Sequence, residues 1–160
     1  MEQFGTEREI AAMRHAITLA ERGLGHTSPN PIVGCVVLDA QGRPVGEGYH
    51  ARAGDAHAEV VALRSAGDAA RGGTAVVTLE PCRHAGRTGP CTQALVDAGV
   101  ARVVYAVDAP NPTAAGGAQA LRAAGIDVVP GVLVTEAARS NEAWLHRARP
   151  GKPFVTWKFA

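Results

Sequence analysis

The chain has 160 residues, 46% hydrophobic and 19% charged, a composition that suits one folded domain with a sizeable core and excludes a disordered chain. Net charge is +1, no basic block occurs and aromatics are only 4%, so the charged track and stacking platform of a nucleic-acid binder are lacking. No apolar run is long enough to span a bilayer and the opening MEQFGTEREI has no apolar signal core, which argues against a membrane partner and for the cytoplasm.

In chain order, TEREIAAMRHAITLAERG predicts an amphipathic helix. Thr6 and Glu9 have the spacing of a capping box, Ile10, Met13, Ile17 and Ala20 form one stripe, and Gly23 is the stop. GHTSPNP is a loop, and Pro31 pushes Asn30 towards extended geometry ahead of a strand. IVGCVVLD reads as a buried strand, AQG as its turn and RPVGEGYH as the returning hairpin partner. HAEVVALRSAG predicts a second helix with Val60, Val61 and Leu63 inward, and GTAVVTLE the next strand.

GPCTQALVDAG predicts a helix with Pro90 in the first turn and Gly99 beyond its end, followed by a strand at ARVVYAV. DAPNPTAAGG is a turn-rich loop before a helix through AQALRAAG, and IDVVPG is a short strand. TEAARSNEAWLHRAR predicts one last helix and KPFVTWKFA a strand. After the opening hairpin, strands and helices alternate, which predicts an α/β sheet with parallel pairs and helices on both faces. No internal repeat or linker divides the chain.

The chemistry concentrates between His57 and Cys91. Three cysteines are an odd number, and in a reducing compartment a close pair is better read as metal-binding or catalytic than as a disulfide. A Cys82–Cys91 disulfide closing a small loop is the alternative. Imidazole and thiolate are preferred zinc ligands, and three protein ligands with an open fourth position mark a catalytic site. His57, Cys82 and Cys91 supply three; Cys35, inside an apolar strand, reads as an inert core thiol. Cys82 follows a strand at its C-terminal end, where open α/β sheets hold ligands, and Cys91 lies in a first helical turn, which favours thiolate.

Glu59 stands two residues after His57, a spacing that does not share a helix face. At a helix start the two converge if His57 keeps non-helical torsions. A carboxylate there can take a proton from a zinc-acidified water and deliver it to a leaving amine. A solvated glutamate favoured by the helix dipole is the alternative.

HAE with PCRHAGRTGPC resembles the H-x-E and P-C-x-x-C signature of zinc-dependent nucleoside and nucleobase deaminases, with the second half lengthened from two intervening residues to eight. Together with TSPNPIVGCVV, VGEGYH, TLEPC, AGVARVVYAV, PNP and AGIDV, it resembles the deaminase domain of the riboflavin-biosynthesis diaminohydroxyphosphoribosylaminopyrimidine deaminases, from about residue 8 onward. The resemblance implies a cytidine deaminase-like three-layer α/β/α sandwich with a mixed five-stranded sheet. It implies hydrolytic deamination of a phosphoribosylated diaminopyrimidine to the aminouracil and ammonia. His57, Cys82 and Cys91 would then hold one Zn2+ per chain, Glu59 would shuttle protons, and Asn30, His50, His84, Arg87, Asn111 and Lys158 would contact substrate. The arginine-bearing loop between the cysteines suits a substrate phosphate.

There are two departures. Ala109 stands where the family usually has Asp, with Asp108 one place earlier, and the glycines after it are contracted to AAGG. The family also implies a homo-oligomer and often a following reductase domain. Residues 1–150 are therefore expected to be the deaminase domain and 151–160 the first strand of a reductase, with NADPH relevant only if that domain exists. Two other readings stay open: a guanine, cytidine or tRNA-adenosine deaminase, which should show C-x-x-C, and a non-catalytic structural-zinc domain, which needs a fourth ligand such as Cys35 or His84.

Overall fold

The computed structural model describes residues 5–84, 89–149 and 151–159. Strands β1 (Gly34–Leu38), β2 (Pro44–Tyr49), β3 (Thr74–Leu79), β4 (Arg102–Val107) and β5 (Asp127–Val129) form one sheet in the order β2-β1-β3-β4-β5. β1 is antiparallel to β2 and β3, while β3, β4 and β5 are parallel. The helices are α1 (Glu7–Glu21), α2 (Ala58–Ala66), α3 (Cys91–Asp97), α4 (Gly117–Ala123), α5 (Val134–Ser140) and α6 (Glu142–Arg147). Among the described residues no helix is long and apolar enough to cross a membrane.

Two hydrophobic clusters sandwich the sheet. Cys35, Val37, Val77, Val103 and Tyr105 face α2, α3 and α4; Val36, Leu38, Val76, Val104 and Ala106 face α1 and α5. Period-two side chains thus enter both cores, which is why the central strands read as unbroken apolar runs. The predicted mixed sheet between helical layers is the observed one.

Local chemistry sets α1. Thr6 Oγ1 accepts from Glu9 N (3.2 Å) and Glu9 Oε2 accepts from Thr6 N (2.7 Å), closing the capping box. The same buried Glu9 carboxylate accepts from Arg102 Nε at 2.7 Å, tying the helix start to β4. The buried face of α1 is Ala12, Met13, Ala16, Leu19 and Ala20, so Ile10 and Ile17 of the expected stripe flank it half-buried.

On α2 the expected inward valines are likewise displaced: Ala58, Ala62 and Ala66 are buried, and Val60, Val61 and Leu63 are only partly so. The reason lies on β2. A Cβ built on Gly46 would sit 2.4 Å from Ala62 O, and one on Gly48 would sit 2.6 Å from Val61 Cβ and 2.7 Å from Ala62 N. Backbone rests on backbone, and only alanine fits between.

The expected last helix is two helices, broken at Asn141. The expected C-terminal strand is absent: residues 151–159 are exposed and pair with no strand among the described residues. Val155, Trp157 and Phe159 alternate with Thr156 and Lys158 as a strand would, but a strand forms only where a ladder satisfies its main-chain groups.

Candidate metal centre and its cavity

The three ligand candidates come from the exit of the central strand β3 and the starts of two helices. Cys82 leaves β3 through buried Pro81, His57 is the N-cap of α2, and Cys91 opens α3 behind Pro90, which is its N-cap. His57 has φ −69° and ψ 158°, the extended torsions that the two-residue spacing to Glu59 requires. His57 Nδ1 lies 3.1 Å from Cys91 Sγ and 3.6 Å from Cys82 Sγ, and all three ligand atoms lie within 4.8 Å of one another. A tetrahedral zinc with bonds of about 2.3 Å to sulfur and about 2.0–2.1 Å to nitrogen separates such atoms by about 3.5–3.8 Å. The donor set therefore fits zinc in kind, and the two nitrogen–sulfur separations bracket the lower end of that range.

Both thiols are free. The Cys82 thiol is pulled down to about 4, first by the hydrogen bond from the Cys91 thiol, then by His57 and the Cys91 N–H (3.5 Å). Cys91 is pushed up by that same pairing and by burial, so the pair gives up one proton readily and the second with difficulty. A divalent cation between the sulfurs would release the second. The His57 imidazole is raised, Cys82 being the main cause. Glu59 is 4% exposed, and burial pushes its carboxyl up. Cys35 is fully buried in the core with its thiol raised by that burial, as expected of an inert thiol. Among the described residues His57, Cys82 and Cys91 are the one such group of ligand atoms; neither Cys35 nor His84 joins it.

A cavity of about 490 Å³ opens on this group, a size suited to a small molecule. His57, Glu59 and Cys82 line it, as do Asn30, His50, His84 and Asn111. His50 is buried and faces two fixed partners, Ala56 O at 3.2 Å from Nδ1 and Asn30 Nδ2 at 3.3 Å from Nε2. With Nδ1–H donating to the carbonyl, Nε2 accepts from the Asn30 amide, which fixes both side chains. Asn111 Oδ1 accepts from Thr113 N at 3.0 Å, so it shapes its own turn while facing the cavity.

Ala109 forms part of the wall, whereas the exposed Asp108 accepts from Tyr105 OH at 2.8 Å and is not among the lining residues. Asp108 therefore does not take the place of the missing carboxylate. Lys158 lies in the exposed C-terminal segment and is not among the lining residues either. Arg87 lies outside the described residues.

Glu80, Trp144 and Arg147 also line the cavity, and sequence reasoning passed over all three. Glu80 carried a readable signal: a carboxylate ending an apolar strand, directly before Pro81 and Cys82. Trp144 and Arg147 carried none, because their approach depends on the break at Asn141.

Residues 6–107 match the family model of the cytidine and deoxycytidylate deaminase zinc-binding region. The chain is 54% identical over 147 residues to the riboflavin biosynthesis protein RibD of Escherichia coli, covering 91% of this chain and 40% of that protein. The solved structure of Acinetobacter baumannii RibD superposes with a TM-score of 0.87 at 50% identity, covering 92% of this chain and 42% of that one. A diaminohydroxyphosphoribosylaminopyrimidine deaminase/5-amino-6-(5-phosphoribosylamino)uracil reductase of Thermotoga maritima superposes with a TM-score of 0.85 at 41% identity, covering 88% and 41%. The chain thus spans about two fifths of the length of the relatives it matches.

Proposed function

The chain belongs to the cytidine and deoxycytidylate deaminase zinc-binding family, and on that premise we propose that it hydrolyses the ring amino group of a phosphoribosylated diaminopyrimidine in riboflavin biosynthesis. Water adds its oxygen to the ring carbon, the carbon–nitrogen bond breaks, and the products are 5-amino-6-(5-phosphoribosylamino)uracil and ammonia. The observation that carries this reading is the convergence of His57 Nδ1, Cys82 Sγ and Cys91 Sγ beside buried Glu59, at the floor of a cavity walled by Asn30, His50 and Asn111.

His57, Cys82 and Cys91 would hold the zinc. When bound, zinc supplies Lewis acidity and brings the acidity of water close to neutral pH. Glu59 takes the proton that water gives up and returns it to the departing nitrogen, so one carboxylate serves both halves of the reaction. The Asn30–His50 pair is locked by its own hydrogen bonds and presents a pre-set polar wall to the pyrimidine. Asn111 adds a further polar group to the lining, and His84 with Arg87 would receive the phosphate, which guanidinium pairs with well. Lys158 enters this reading only as a contact brought in from the exposed C-terminal segment. The same reading has the protein acting in the cytoplasm as a homo-oligomer.

Zinc content and ammonia release from the phosphoribosyl diaminopyrimidine, compared between wild type and Glu59→Gln, test the reading. Zinc should stay at one per chain in both, and turnover should fall at least about a hundredfold in the variant. Comparable turnover in the variant would remove Glu59 from the reaction. Ammonia from cytidine or guanine instead would reassign the substrate.

A further inference from the structure

The loop between β4 and α4 supplies Ala109, Pro110, Asn111, Pro112 and Ala114 to the cavity wall. Its inner order is local: Asn111 O accepts from Ala114 N (3.0 Å) and Ala115 N (2.9 Å). Its attachment to the rest of the molecule is not local. Glu80, 8% exposed at the end of β3, takes the start of the loop on one oxygen, Oε2 accepting from Ala109 N at 3.1 Å. Its other oxygen takes the end of the loop, Oε1 accepting from Gly116 N at 3.2 Å and Ala118 N at 3.0 Å. The loop end also presses on the next residue of β3's exit, since a Cβ on Gly117 would lie 1.8 Å from Pro81 O. One carboxylate therefore joins both ends of a cavity-lining loop, two residues before the metal-ligand candidate Cys82.

A buried carboxylate with three main-chain donors is a fixed structural centre, and removing one acceptor leaves a donor without a partner. Neither Tyr105 nor Asp108, which are bonded to each other, reaches across to the loop's far end in this way.

We propose that Glu80 is a positioning residue that staples both ends of the 109–116 loop and so sets the distance between Asn111 and the metal ligands at which substrate fits. Its effect on substrate fit rests on the deaminase reading above; its effect on the loop does not.

Glu80→Gln tests it. The amide oxygen can still serve one end of the loop, but the amide nitrogen then meets a backbone N–H, donor against donor. Hydrogen exchange at Ala109 should accelerate at least about tenfold, with exchange in β4 unchanged. Zinc should stay at one per chain, KM for the phosphoribosyl diaminopyrimidine should rise at least about tenfold, and kcat should change less than about threefold. Should that variant not fold, Glu80→Asp, which keeps the charge but withdraws it by one methylene, is read in the same measurements. Unchanged exchange at both Ala109 and Gly116 would overturn the staple. Accelerated exchange with an unchanged KM would overturn its role in fitting substrate. A wild-type chain that released no ammonia would count against the substrate alone, and the exchange result would still decide the staple.

Discussion

Asn141 holds Ile32 by both of its main-chain groups: its Nδ2 donates to Ile32 O at 2.7 Å and its Oδ1 accepts from Ile32 N at 3.1 Å. The side-chain amide stands in for a neighbouring strand at the entrance to β1, 109 residues away in sequence. To do so it interrupts the helix, and α6 then turns towards the site, where Trp144 Nε1 donates to Pro29 O at 3.0 Å.

Asn141→Ala should therefore cost stability and function together. It leaves the Ile32 N–H and C=O buried without partners, at about 1–3 kcal/mol for each such group. The expected loss is about 2–6 kcal/mol in urea denaturation, with a raised KM because the Trp144 wall loses its anchor. A loss below about 0.5 kcal/mol would show that the clasp does not hold α6 in place.

Gly48→Ala should be more damaging than Gly25→Ala. At Gly48 a Cβ meets Val61 Cβ at 2.6 Å and Ala58 O at 2.8 Å, so α2 must move off the sheet. Overpacking of this kind costs about 1–3 kcal/mol, and the shift carries His57 and Glu59 with it. At Gly25 (φ +84°) nothing lies within 4 Å, and only the left-handed backbone opposes alanine, by about 1 kcal/mol. Thermal melts and zinc content of the two variants check the ranking, and zinc affinity should fall only in Gly48→Ala.

The cysteines should separate cleanly by role. Cys91→Ser and Cys82→Ser should lose stoichiometric zinc and ammonia release, and chelation of the wild type should do the same reversibly. Cys35→Ala should keep one zinc per chain, because that thiol sits in the core away from the ligand group. Elemental analysis after dialysis decides between them. Zinc loss from Cys35→Ala would point to a fourth ligand and a structural site.

Asp39 should give stability a pH dependence in the acid range. Its Oδ1 accepts from Arg43 N and Gln41 N, each at 2.9 Å, and Oδ2 accepts from Arg43 Nε at 2.8 Å. The Arg43 main-chain bond is the chief cause that holds its carboxyl below the usual range. The folded value lies below the unfolded one of about 3.9. The contribution is thus complete well above that value and is lost as pH falls through the folded value. Denaturation midpoints measured from about pH 6 to pH 2.5 should fall more steeply for wild type than for Asp39→Asn. Parallel slopes would contradict the assignment.

Much of this protein was written in short-range signals. The Thr6–Glu9 box, the hairpin around AQG and the doubly apolar strands depend on neighbouring residues or on a period of two, and each formed as read. The meeting of His57, Cys82 and Cys91 was equally legible, because each sits where an element starts or ends, and such positions are marked in sequence. What sequence could not hold was any choice made by close approach of distant backbone. Ala62 rather than Val61 faces inward because glycines on β2 admit nothing larger. Glu80 becomes a loop anchor because Ala109 and Gly116 meet it in space, and Trp144 reaches the cavity because Asn141 leaves its helix for Ile32. Local torsions and periodicity decide which elements form; only packing decides which of their faces touch, and the shape of the cavity follows from that.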